Sequence, residues 1–246
     1  MLKMLCVIPA RIGSTRLPRK PLSLLAGKPM VLRTYEAAKA CPVFSEVVVA
    51  TDSEEIAEVI KHAGGTVIMT DANIETGSDR VAFVARQYKD MDIIVNLQGD
   101  EPFVTSEMLT ALVEPYLNGE RPGMTTLANP LDFEKQYQSP DFVKVIVDQF
   151  DNALYFSRAP IPYRREMIED LPVYHHQGLY AFTRDFLLKF TGLSQTPLEL
   201  SEKLEQLRVL EHGFRIRVCI TPHKTLEINT LEELQQAQVI AEQLWS

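Results

Sequence analysis

The stretch Leu5-Cys6-Val7-Ile8-Pro9 running into Ala10-Arg11-Ile12-Gly13-Ser14-Thr15-Arg16-Leu17-Pro18-Arg19-Lys20-Pro21-Leu22 decides the fold. Its first part is an unbroken apolar run, the pattern of a parallel strand covered on both faces. Its second part is a loop carrying Arg11, Arg16, Arg19 and Lys20 with no acid among them. Ligands of open α/β sheets bind at the carboxyl ends of the strands, where this loop begins. Gly13 lets the backbone approach a ligand closely and Ser14 adds a hydroxyl. Arginine grips phosphate bidentately and lysine acts as a point charge, so the loop suits a triphosphate. It is neither a Walker loop nor the G-x-G-x-x-G dinucleotide fingerprint, which argues against a nicotinamide-dependent dehydrogenase.

Downstream, helix and strand patterns alternate. A helix is expected from Pro29 to Ala40 and a strand from Val47 to Ala50. Asp52, with Glu55 as capping-box partner, is expected to open a helix that closes at Gly64-Gly65. Thr66 to Thr70 reads as a strand, Ser78 as the cap of a helix through Tyr88, and Asp92 to Leu97 as a very apolar fourth strand. Such alternation with short links predicts an α/β protein with a parallel sheet and helices on both faces. The middle is β-rich: Phe142 to Asp148 and Ala153 to Ser157 form a hairpin, a loop follows with Pro160, Pro162 and Pro172, and Gln177 to Phe182 is a strand. Glu199 to His212 predicts one helix ending at Gly213, Phe214 to Ile220 a strand, and Thr230 with Glu233 a capping box for the last helix. We read residues 1–246 as a single domain with a β-rich insertion at about 140–183.

The chain has 246 residues, 46% hydrophobic and 24% charged, which excludes disordered, collagen-like and disulfide-stapled classes. A net charge of −8 excludes a nonspecific nucleic-acid or membrane-surface binder and requires local cations for any anionic ligand. Cys6, Cys41 and Cys219 lack metal-ligand spacing, and Cys6 and Cys219 lie in apolar strand runs. No signal peptide and no run of about 20 apolar residues is present, so a cytoplasmic protein is expected without stable membrane association.

Gln98-Gly99-Asp100-Glu101-Pro102 follows the most apolar strand and faces the same crevice as the basic loop. Mg²⁺ is held by one or two carboxylates plus phosphates and water, which makes Asp100 the candidate metal anchor. Ser78-Asp79-Arg80 opens a helix, whose free N–H groups suit an anion. His62, His175, His212 and His223 show no ligand or triad spacing.

The loop Ile8 to Leu22 resembles the signature of bacterial 3-deoxy-manno-octulosonate (Kdo) cytidylyltransferases, the CMP-Kdo synthetases; CMP-sialic acid synthetases carry a looser version. The resemblance continues through Ala50-Thr51-Asp52, Thr76-Gly77-Ser78-Asp79-Arg80, Asn96-Leu97-Gln98-Gly99-Asp100-Glu101-Pro102, Val143-Lys144-Val145, Ala153-Leu154-Tyr155-Phe156-Ser157-Arg158, Ile161-Pro162-Tyr163, His176-Gln177-Gly178-Leu179-Tyr180-Ala181 and Leu204-Glu205-Gln206-Leu207-Arg208.

It implies a three-layer, nucleotide-diphospho-sugar transferase-like fold with a mixed, mostly parallel sheet. It implies transfer of CMP from CTP to the anomeric hydroxyl of Kdo, with release of pyrophosphate, for lipopolysaccharide synthesis. Arg11, Lys20 and Asp100 become the catalytic candidates. Ala10, Arg11, Gly13, Ser14, Lys20, Ser78, Arg80 and Gln98 become nucleotide contacts. Gln98, Arg158, Arg164, His176, Tyr180, Glu205, Gln206 and Arg208 become contacts to the sugar acid. Asp100 and Asn229 become Mg²⁺ ligands, and a homodimer is implied. The chain departs from the family at Asn229, where a second metal-binding aspartate is usual. That departure leaves a cytidylyltransferase for 8-amino-Kdo or sialic acid as the alternative. A non-catalytic nucleotide sensor, which would lack Asp100, Arg158 and Arg208, is the alternative from another class.

Overall fold

The computed structural model describes residues 2–13, 17–168, 171–226, 228 and 230–245. Two compact units emerge, residues 1–110 with 225–246 and residues 111–224. The β-rich stretch at about 140–183 lies wholly in the second.

The first unit contains β1 (Met4–Ala10), the short strands β2 (Leu24–Leu25) and β3 (Lys28–Pro29), α1 (Met30–Ala40), β4 (Glu46–Thr51), α2 (Glu54–His62), β5 (Thr66–Met69), α3 (Gly77–Gln87) and β6 (Ile93–Asn96). Its main sheet is parallel, in the order β6-β1-β4-β5. Every residue of β1 is buried, as its unbroken apolar pattern demands. The chain steps from β1 through β4 to β5 in one direction and returns to place β6 on the other side of β1. Right-handed crossovers then set α1 and α2 on one face and α3 on the other. The reversal at β1 is a topological switch point, and its carboxyl end is where such sheets form a ligand crevice. The last helix, α8 (Leu231–Trp245), contributes Ala237 and Ala241 to a core cluster with Leu17, Leu25, Met30 and Ile228.

Two caps differ from expectation. Ser53, not Asp52, caps α2 by accepting from Ile56 N at 3.4 Å, because the Asp52 carboxylate is drawn 3.3 Å from Arg80 Nη2. Glu55 does not close a capping box but pairs with Arg19. Thr76, not Ser78, caps α3 by accepting from Asp79 N at 3.0 Å, so Ser78 falls inside the first turn, buried. The capping box of α8 is as expected: Thr230 N donates to Glu233 Oε2 and Glu233 N to Thr230 Oγ1.

After α4 (Ser106–Leu117), the second unit holds β7 (Met124–Pro130), β8 (Lys144–Val147), β9 (Ala153–Ser157), β10 (Val173–Thr183), α5 (Arg184–Phe190), α6 (Pro197–Glu202), α7 (Leu207–Glu211) and β11 (Arg217–Ile220). The order is β11-β7-β10-β8-β9, with β11 parallel to β7 and the other pairs antiparallel. The hairpin β8–β9 was expected. β10 carries a bulge between His176 and Tyr180, where Gly178 takes φ +62°. The helix expected over Glu199 to His212 is broken into α6 and α7. Lys203 adopts a left-handed conformation at φ +55°, and Arg208 folds back onto Glu199. Cys6 is buried and its thiol pushed up by burial; Cys219 is pushed up to about 12 for the same reason.

Candidate active site

A cleft of about 340 Å³ opens at the carboxyl ends of β1 and β6. Pro9, Ala10, Arg11, Gly13, Lys20 and Pro21 form one wall. Gln98, Gly99 and Asp100 form a second, and the segment from Ile74 to Gly77 with Arg80 a third. The expected catalytic residues Arg11, Lys20 and Asp100 therefore line one cavity, together with the expected nucleotide contacts Ala10, Gly13, Arg80 and Gln98. Ser14 and Asn229 lie outside the described residues. Glu75 joins the lining without having been singled out, beside Thr76 and Gly77 of the motif that runs to Arg80. Thr76 caps α3 and Gly77 is its first residue, so the helix start itself lines the cleft.

Local structure holds these groups in place. Lys20 opens a turn of 3-10 helix over Lys20–Leu22, and its Nζ donates to Asp100 Oδ2. Gln98 Nε2 donates to Asn96 Oδ1 at 3.0 Å, tying the acidic turn to its strand. At Gly99 a Cβ would lie 3.1 Å from the Pro9 carbonyl oxygen and 3.3 Å from Ala10 Cβ, so only glycine lets the two strand ends come this close. Arg11 is exposed and its Nη1 reaches the Glu75 carbonyl oxygen at 3.5 Å. Arg80 is buried. Its guanidinium is engaged by Thr70 Oγ1, Asp52 Oδ2 and the Ile74 carbonyl oxygen, so it braces the third wall.

The donor set suits one hard cation with ligands from elsewhere. Asp100 is a half-buried carboxylate beside Lys20, and among the described residues no cluster of three or more His, Cys, Asp or Glu side chains is arranged to hold a metal. Mg²⁺ matches such a site, because it keeps waters and takes phosphate oxygens alongside one or two carboxylates.

In the second unit, His176, Tyr180 and Gln206 meet. His176 Nδ1 is 3.5 Å from Gln206 Nε2, and Tyr180 Oη donates to Gln206 Oε1 at 3.2 Å. Phe156 packs edge-on against the imidazole at 4.9 Å. Burial pushes His176 down to about 3, so near neutral pH the ring is uncharged and can only orient or hydrogen-bond. Arg208 is held bidentately by Glu199, a buried partner not foreseen in the sequence, and lies 3.8 Å from Glu205 Oε1. Its guanidinium is thus committed inward. Arg158 donates from Nε to the Glu202 carbonyl oxygen at 2.9 Å and from Nη1 to that of Pro140 at 3.1 Å. Arg164 stacks over Phe133 at 4.6 Å, with Nε buried and unpartnered among the described residues.

Residues 5–238 match the family model described as Cytidylyltransferase. The chain is 55% identical to the 3-deoxy-manno-octulosonate cytidylyltransferase of Acaryochloris marina, over 98% of each chain. It is 49% identical to that of Synechococcus elongatus, over 99% of this chain and all of the relative. A solved structure of CMP:2-keto-3-deoxy-manno-octonic acid synthetase complexed with CTP superposes with a TM-score of 0.93 at 36% identity, covering 98% of this chain and 99% of the other. Among the described residues, no helix is long and apolar enough to cross a membrane.

Proposed function

The chain belongs to the 3-deoxy-manno-octulosonate cytidylyltransferase family, which makes CMP transfer from CTP to this sugar acid its reaction, and we propose that the cleft at the ends of β1 and β6 carries it. Its product, CMP-Kdo, serves lipopolysaccharide synthesis. The observation that carries the site assignment is the meeting of Arg11, Lys20 and Asp100 in one cavity at the switch point.

Arg11, Ser14 and Lys20 hold the triphosphate, with Ala10, Gly13, Ser78, Arg80 and Gln98 shaping or contacting the nucleotide. The anomeric hydroxyl oxygen of the sugar acid attacks the α-phosphorus, the bond to the bridging oxygen breaks, pyrophosphate leaves, and the hydroxyl proton passes to solvent. Positioning and charge stabilisation supply the rate. Asp100, with Asn229 as a neutral oxygen donor, would hold Mg²⁺, which would offset phosphate charge and acidify the attacking hydroxyl. Arg11 and Lys20 stabilise the charge that builds on the leaving pyrophosphate. Gln98, Arg158, Arg164, His176, Tyr180, Glu205, Gln206 and Arg208 form or support the sugar-acid site, with residues 1–246 acting as one catalytic domain. The chain works as a homodimer through the β8–β9 hairpin and the proline-rich loop, where Phe150, Leu154, Tyr163 and Met167 are exposed.

Pyrophosphate release from CTP, measured with and without Kdo across divalent metals, tests the reaction. Kdo-dependent release is expected; its absence with every metal would reject it. An Asp100→Ala enzyme as fast as its parent would reject the site. Asn229 motivates a second substrate test, a competition of Kdo against its 8-amino analogue compared by kcat/KM.

A further inference from the structure

Thr126 stands in the middle of β7, fully buried, beneath the cluster of His176, Gln206 and Tyr180. Its hydroxyl makes two contacts. Oγ1 lies 2.8 Å from the Leu179 carbonyl oxygen and 3.0 Å from His176 Nε2. A hydroxyl has one proton, and a carbonyl oxygen can only accept. The Thr126 proton therefore goes to Leu179, inside the β10 bulge, and His176 must donate from Nε2 into the threonine oxygen. An uncharged ring with its proton on Nε2 has a bare Nδ1, which takes a proton from Gln206 Nε2. The glutamine amide is then turned so that Oε1 accepts from Tyr180 Oη. Every bond in the row points the same way, from the tyrosine down to the bulge.

We infer that Thr126 is a positioning residue that fixes the proton of His176 on Nε2 and thereby sets the direction of the hydrogen bonds from Tyr180 through Gln206 down to the β10 bulge. The phenol proton is spent on Gln206. The second N–H of Gln206 remains a donor. On the reading that this cluster belongs to the sugar-acid site, the chain fixes which of its groups donate and which accept around the substrate. Reversing the row would present a phenol proton in the same place, and a polar group matched to the wrong direction loses its bond on burial. The uncharged state of His176 accords with this, since an imidazolium would offer no acceptor to Gln206.

¹⁵N NMR of the parent protein, labelled at histidine, reads the tautomer directly. A pyrrole-type Nε2 and a pyridine-type Nδ1 are expected at His176. Thr126→Val removes the acceptor below Nε2; a mixed or inverted tautomer is expected, with KM for Kdo raised about tenfold and KM for CTP unchanged, because no member of the row lines the nucleotide cleft. Thr126→Ser keeps the hydroxyl and restores both readouts. A proton on Nδ1 in the parent overturns the inference without recourse to a variant. An unchanged tautomer or an unchanged KM for Kdo in T126V overturns the positioning role. Absence of Kdo-dependent turnover in the parent would reject the function and leave the tautomer measurement standing.

Discussion

Lys20 Nζ donates to Asp100 Oδ2 in the cleft at the ends of β1 and β6, so the cation suited to phosphate sits on the carboxylate suited to Mg²⁺. Either ligand alone must part this pair, whereas metal and triphosphate arriving together satisfy both groups at once. Lys20→Met removes the competitor. Without nucleotide, Mn²⁺ should bind the variant about three- to tenfold more tightly by electron paramagnetic resonance, a gain typical of a partly exposed pair. The same variant should lose about 10²-fold in kcat/KM for CTP. Unchanged Mn²⁺ affinity in K20M would show that Lys20 does not compete for Asp100.

The first unit was legible because its strands are continuous apolar runs and its chemistry follows them directly in the chain. The basic loop and the acidic turn each begin where a strand stops, and the fold only brings the stops together. The second unit was less legible. β7 reads Met-Thr-Thr-Leu-Ala-Asn-Pro, too polar for a buried strand by pattern, yet Thr125 and Thr126 are fully buried because each hydroxyl is spent on a backbone carbonyl. The break between α6 and α7 was hidden for a related reason. The helical period persists across Lys203, and the left-handed turn there accompanies an ion pair nine residues apart, a spacing that falls outside the i, i+3 and i, i+4 patterns of a helix.

Glu199 and Arg208 are that pair, both about 5% exposed. Glu199 Oε2 also accepts from Thr196 N at 3.2 Å, closing a capping box on α6. Glu199→Gln would strip the buried guanidinium of the carboxylate that grips it bidentately, while Glu205 stays 3.8 Å away. Breaking one side of a buried pair costs about 3–5 kcal/mol, and Glu205 should hold the loss to the lower end. Replacing both by methionine should recover most of it. Urea denaturation of the two single variants and the double variant checks the cycle; a double variant no better than the worse single one would contradict it.

Burial lowers His176 to about 3 and His175, which also faces Lys224 and Lys144, to about 4, from an ordinary 6.5. A depressed histidine leaves the unfolded chain to bind the proton first. Stability is therefore level above pH 6.5 and falls as pH drops from about 6.5 towards 4, with a limiting slope of about 1.4 kcal/mol per pH unit for each histidine. Chemical denaturation at pH 7.5 and 5 should show the loss, and His175→Gln should halve the slope. Stability rising towards pH 5 would mean that these rings are protonated in the native protein.

Gly99 permits the acidic turn to lie against the end of β1. A Cβ there would meet Pro9 O at 3.1 Å and Ala10 Cβ at 3.3 Å, tighter than ordinary contact, and both neighbours belong to a strand with every residue buried. In Gly99→Ala, turn and strand end must part by a few tenths of an ångström, and the turn, outside the sheet, is the side expected to move, taking Asp100 with it. A displacement of a few tenths of an ångström costs little in folding, about 1 kcal/mol, but misplaces the Asp100 carboxylate, the proposed metal ligand, relative to Arg11 and Lys20. Near-attack geometry is far less forgiving, and kcat should fall about tenfold or more. The Mg²⁺ concentration for half-maximal activity should rise with it. Melting temperature and steady-state kinetics measured together separate the two effects; a G99A enzyme with reduced melting temperature and full kcat would place the constraint in folding alone.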